Sequence, residues 1–162
     1  LLLIWVVAMI MTSCQPKPTT VAVDPEAIKA ELATFMDEFH VAYMALDINK
    51  ITALCNDNAM FLGTDPSEFW NKQQITDLFL AQASDSTMKM EFKLDKREIM
   101  VAADGKSAIV VEQFFIPLIS TKLQVRCIDK VVKVNDKWMF DLLSWNIVAR
   151  NEDIPKLNAA LE

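Results

Sequence analysis

The chain has 162 residues, 52% of them hydrophobic, with only two glycines and a formal net charge of −6. That length and apolar content suit one domain with a real core, and they exclude a disordered chain or a miniprotein held by disulfides. The acidic balance argues against nucleic acid as a partner, because phosphates demand a basic face.

Leu1 to Met11 (LLLIWVVAMIM) is an uncharged apolar run. It is too short to cross a bilayer, which takes roughly 20 helical residues, but it suits the apolar core of a secretory signal. No initiator Met or basic segment precedes it, so the chain is expected to begin a few residues into that signal. Met11-Thr12-Ser13-Cys14 resembles a bacterial lipobox, in which the cysteine is acylated and becomes the first residue of the mature protein. The alternative is an ordinary signal in which Cys14 falls there by chance. Acylation of Cys14 predicts stable anchoring, since each buried methylene contributes about 0.8 kcal/mol. The expected address is the bacterial cell envelope, lipid-anchored and facing the periplasm. Gln15 stands where some bacteria place the Asp that retains a lipoprotein in the inner membrane, which leans toward the outer membrane. Residues 1–14 are thus read as signal and lipobox, and 15–23 (QPKPTTVAV) as a proline-bearing tether. Residues 24–150 are left as the folded domain, with 151–162 as a terminal helix or tail.

Asp24-Pro25-Glu26 opens the first helix: Asp caps, Pro tolerates the first helical position, and Glu complements the positive end. Ile28, Leu32, Phe35, Phe39, Tyr43 and Leu46 recur at spacings of three and four, one buried stripe, with Met36 and His40 on its flank. Asp47 caps a shorter helix that turns Ile48, Ile51, Leu54 and Cys55 inward. Ala59 to Leu62 is a short strand closed by Gly63. Asp65-Pro66-Ser67-Glu68 is a capped turn with Glu68 bonding back to the Asp65 amide, and Asn71-Lys72-Gln73-Gln74 repeats the device to open a third helix. The stripe of that helix is Ile75, Leu78, Phe79 and Gln82.

From Lys89 the period changes to two: Met90, Phe92 and Leu94 alternate with charged residues. A hairpin closing at Asp104-Gly105 pairs Val101 with Ala108, Ile99 with Val110, and Arg97 with Glu112 as a cross-strand charge pair. Ser107 to Ile119 is almost continuously apolar and is expected to be covered on both faces, with Pro117 marking a bend or an edge. Leu123 to Val148 reads as a long antiparallel hairpin turning at Asn135-Asp136. A two-residue turn there sets Lys130 against Asp141 and Arg126 against Trp145. Cys55 and Cys127 are expected as two separate buried thiols; export also permits a disulfide between them.

The order long helix, short helix, strand, helix, four long strands, with GTDPSEFW at 63–70 and Ser144-Trp145-Asn146 in the last strand, resembles the nuclear transport factor 2-like superfamily in its SnoaL-like branch, as a small bacterial lipoprotein. The resemblance covers about Glu26 to Val148. It implies an α+β cone in which a curved antiparallel sheet wraps three N-terminal helices and leaves an apolar pocket at its open end. It also implies a homodimer through the outer sheet face, as relatives often form. The family spans isomerases, cyclases, dehydratases and non-catalytic binding proteins, so it does not choose among them. Its isomerases use a tyrosine and a carboxylate whose positions fall near Phe39 and at Leu62 or Gly63 here, and neither can transfer a proton.

A substitute set is His40 and Tyr43, one turn apart, with Asp129 or Asp141; the alternative makes His40 a satisfied flank residue and Tyr43 core. If a ligand binds, the cone mouth offers His40, Tyr43, Trp70, Phe140, Ser144 and Asn146. Ser144 and Asn146 are expected to share a face with Phe140 and Leu142. Arg126 could clamp an anion or simply stack on Trp145. One histidine and two scattered internal cysteines offer no metal site, and no cofactor motif is present. The leading expectation is a non-catalytic domain that binds a small apolar molecule or a protein. The alternative is a small acid–base enzyme acting on an apolar carbonyl compound.

Overall fold

Local signals place the helices where the side chains can cap them. The computed structural model describes residues 23–85 and 90–161, so the Cys14 lipobox and nearly all of the tether lie outside the described residues. Helix α1 (Pro25–Met44) begins with the Asp24 carboxylate accepting from the Glu26 and Ala27 amides. Asp47 caps α2 (Ile48–Ala53) through the Lys50 amide. Asn71 and Gln74 bond reciprocally at the start of α3 (Lys72–Ser84). No helix among the described residues is long and apolar enough to cross a membrane.

The strands are β1 (Cys55–Leu62), β2 (Phe69–Asn71), β3 (Lys93–Val101), β4 (Ser107–Phe115), β5 (Gln124–Val134) and β6 (Lys137–Val148). They form one open sheet in the order β2-β1-β6-β5-β4-β3. The α+β cone is as expected, with one difference. β1 runs parallel to β6, so the sheet is mixed and not wholly antiparallel. This pairing is reached by a long crossover through α3 and four strands, which no local turn signal records. A short 3-10 turn (Asn151–Asp153) and helix α4 (Ile154–Ala160) complete the chain, with no buried residue in either.

Helix α1 lies on the inner sheet face. Phe140 of β6 is fully buried between Phe35 and Phe39, with ring centroids 4.8 Å from each. Met36 and His40, expected on the flank, are buried with the stripe. Cys55 and Cys127 are free and buried. Burial pushes the Cys55 thiol up to about 12 and the Cys127 thiol well above its ordinary value, so both behave as small hydrophobes.

The β3–β4 register is the expected one, including Arg97 opposite Glu112. Its turn is wider than a two-residue loop: Gly105 alone takes a positive φ (66°), and its N–H donates to the Ala102 carbonyl. The period-two pattern from Lys89 does not run through β3. The register slips between Leu94 and Lys96, so Met90 and Phe92 face in before the slip, and Arg97, Ile99 and Val101 after it. β4 was expected to be covered on both faces, yet it alternates strictly between buried and half-buried residues and stops at Phe115, two residues before Pro117. Its outer face, with Ile109, Val111 and Phe115 beside Ser107 and Gln113, is only half covered.

The long hairpin turns at Asn135-Asp136, both with positive φ (49° and 61°), and pairs Val134 with Lys137. Beyond Val131–Phe140 the register shifts by one at Asp141. Lys130 therefore sits opposite Leu142, although its Nζ still reaches Asp141 at 2.7 Å. Arg126 pairs with Asn146 instead of Trp145, and its guanidinium donates to Gln113. The cation over an indole in this hairpin is Lys133, 5.0 Å from the Trp138 ring.

Candidate functional site

The slip at Asp141 decides what the last strand presents inward. Before it, Trp138 and Phe140 face the core; after it, Leu143 and Trp145 do. Leu142, Ser144 and Asn146 therefore fall on the outer face, and the expected shared face with Phe140 is not formed. The Asn146 amide instead donates to the Arg126 carbonyl and to the Ser144 hydroxyl and carbonyl.

His40 and Tyr43 do come together, around a small inner chamber of about 10 Å³ beneath α1. It also meets Glu112 of β4, Cys127 and Asp129 of β5, and Trp145 of β6. That volume is room for about one water molecule. Tyr43 and Trp145, edge to face at 5.7 Å, separate it from an outer chamber of about 160 Å³ that both also line. Trp70, held by the Asp65–Glu68 turn on one side and the α3 capping box on the other, lines this outer chamber. A wider groove of about 450 Å³ near Glu91, Phe115 and Thr121 collects no buried polar group and is not the candidate.

The polar groups of the inner chamber divide into two sets. Glu112 is almost fully buried, and its two oxygens are both occupied: Oε2 by His40 Nε2 at 2.7 Å and Oε1 by Arg97 Nε at 2.5 Å. Arg97 also donates to the Ala33 carbonyl and to Asp37, tying β3 to α1, and its Nη2 lies 3.5 Å from His40 Nδ1. A guanidinium can only donate, so that contact requires a bare Nδ1 and puts the ring proton on Nε2, facing Glu112. His40, Glu112 and Arg97 thus satisfy one another.

Asp129 and Tyr43 are the other set. Asp129 is 1% exposed, and its one hydrogen bond among the described residues is a 3.3 Å contact from the Ser144 amide. Burial, and then the Glu112 charge, hold its carboxyl well above the usual range, which favours the protonated form. Burial, and then the Cys127 thiol, raise the Tyr43 phenol too. Its hydroxyl makes no hydrogen bond among the described residues. Burial thus favours the proton-bearing form of both groups, and each has hydrogen-bonding capacity to spare. Asp141, the other carboxylate considered, is on the surface with Asn56 and Lys130.

Sequence parity could have found Glu112, which shares its inward phase with Val110 and Phe114; in the sequence it figures only as the cross-strand charge partner of Arg97. Among the described residues no group of three or more His, Cys, Asp or Glu side chains could hold a metal ion.

Solved structures share this fold. An NTF2-like protein of unknown function from Pseudomonas putida KT2440 superposes with a TM-score of 0.65 at 16% identity, covering 78% of this chain and 91% of its own. An NTF2-like protein from Cytophaga hutchinsonii gives 0.61 at 14% identity, covering 74% and 98%. A putative calcium/calmodulin dependent protein kinase II association domain from Xanthomonas campestris gives 0.60 at 19%, covering 74% and 87%. No curated protein matches the chain. The SnoaL-like domain model matches residues 32–149, from the middle of α1 to the end of β6 and so across both chambers, and the chain belongs to that family.

Proposed function

We propose that the chain is an exported, lipid-anchored domain that binds a small, largely apolar molecule bearing an acceptor oxygen and does not transform it. The observation that carries this reading is the division of polar groups in the inner chamber. Asp129 and Tyr43 sit where burial favours the proton-bearing form of each, while the groups that could accept a proton, His40 and Glu112, are committed to each other and to Arg97. Two donors and no free base suit recognition of an oxygen better than proton abstraction. The aromatic walls of the outer chamber supply the apolar contact expected of a small-molecule site. Native mass spectrometry of the purified full chain in detergent tests it. A retained small molecule that is lost in Tyr43→Phe supports the reading; a clean apo mass at all declustering energies counts against it.

One observation favours a second reading, a small acid–base enzyme: a carboxyl with a strongly raised pKa in an apolar cavity is also how a general acid is made. Deuterium uptake next to the carbonyl of cyclohexanone, above the buffer rate and lost in Asp129→Asn, would establish it.

Anchoring rests on Met11-Thr12-Ser13-Cys14. Mass spectrometry of envelope fractions should find an acylated Cys14 at the mature N-terminus, and an unmodified or differently cleaved terminus would refute it. A homodimer through the outer sheet face is supported by exposed Met100 and Ile128, and the native mass spectrum counts the subunits.

A further inference from the structure

The outer chamber has a character the inner one lacks. Four aromatic side chains line it: Tyr43 from α1, Trp70 from β2, Phe79 from α3 and Trp145 from β6. Three of them are in mutual contact, with Tyr43 5.8 Å from Phe79 and Phe79 6.4 Å from Trp145. The polar groups on its walls are acceptors or neutral. Glu68 contributes a carboxylate with one oxygen bound to the Asp65 amide at 2.9 Å and the other without a hydrogen bond among the described residues. Gln82 contributes a buried Oε1 with no hydrogen-bond partner among the described residues. No lysine, arginine or histidine lines the chamber among the described residues.

We infer that the outer chamber is a site for a small organic cation, a protonated primary or secondary amine on an apolar body. Aromatic faces attract a cation through their quadrupoles, most strongly where water is excluded. The Glu68 carboxylate supplies the counter-charge, and an ammonium N–H supplies the donor that Gln82 Oε1 lacks. An anion would meet Glu68 with no basic residue among the described ones to offset it. A neutral carbonyl or ether would leave the Gln82 oxygen bare, and an alcohol could donate to it but would bring no charge to meet Glu68. The volume of about 160 Å³ is close to that of a cavity that takes up benzene, which sets the size of the body. The inference rests on the proposal that this chain binds a small molecule here, and it names the charge and donor pattern of that molecule's outer end.

Isothermal titration calorimetry on the full chain at pH 7 and low salt, with benzylamine, benzyl alcohol and benzoate as probes, tests it. The three share one ring and differ in charge. Benzylamine is expected to bind at least tenfold more tightly than benzyl alcohol, with no heat from benzoate. Glu68→Gln keeps the acceptor for the Asp65 amide and removes the charge, so the preference for the amine should fall toward parity while alcohol affinity is unchanged. Gln82→Leu should weaken the amine several-fold, with circular dichroism and Tm checking that both variants are folded. If benzyl alcohol binds as well as benzylamine, or benzoate binds at all, the cation inference fails and small-molecule binding stands. If none of the three binds to the folded wild type, both the inference and the placing of a ligand in this chamber fail.

Discussion

His40 on α1 and Glu112 on β4 are 72 positions apart in the chain and meet at 2.7 Å in the core, where Arg97 closes the cluster from β3. Removing one member strands the others. Glu112→Ala leaves a buried guanidinium edge and an imidazole without their acceptor, and is expected to cost about 3–5 kcal/mol in urea denaturation. A loss under about 1 kcal/mol would mean that water replaces the carboxylate and the cluster is not dry.

Asp129 predicts a pH dependence with a definite sign. Its folded pKa is raised, so the folded chain holds a proton that the unfolded chain releases near the ordinary value of about 4. Stability from this residue is complete below that value and declines as pH rises toward the folded pKa. Asp129→Asn removes the decline and keeps an oxygen for the Ser144 amide. The Tm advantage of the variant should therefore be smallest at about pH 4 and grow as pH rises above it. An advantage independent of pH would show that Asp129 is ionised in the fold.

The start of α3 stands on its capping box. Asn71→Ala removes the acceptor for the Gln74 amide and is expected to cost about 1 kcal/mol. Because Trp70 precedes this residue, its fluorescence should report the loosening below the main unfolding transition.

In the β5–β6 turn Asp136 holds a φ of 61°, which glycine adopts freely and a residue with a Cβ does not. Asp136→Gly should raise stability by up to about 1 kcal/mol, read as a higher urea midpoint with an unchanged slope. A lower midpoint would show that the aspartate side chain contributes more than the strain costs.

What could be read from the chain before the fold was known was set within a few residues. The Asp24, Asp47 and Asn71 caps, the Glu68 return to Asp65 and the Asn135-Asp136 turn all form where the local chemistry placed them. The Val101–Ala108 register followed from one turn. Of the site, the meeting of His40 with Tyr43 was legible from helical spacing, and Asp129 was one of two carboxylates considered. The errors arose wherever parity had to be carried past an irregularity. The slips at Leu94/Lys96 and at Asp141 have no sequence signature, and each reverses the facing of every later residue in its strand. The parallel β1–β6 contact joins segments with most of the domain between them, so nothing near either one announces it.

The slip at Asp141 works like a reading frame. With the extra residue, the strand shows the cavity Trp145, an aromatic wall shared by both chambers. Without it, the same downstream side chains would rotate by half a turn and show Ser144 and Asn146 instead, with Trp145 sent to solvent. One residue of backbone, contributing no group of its own to either chamber, chooses between a ring and an amide as the surface a guest would meet.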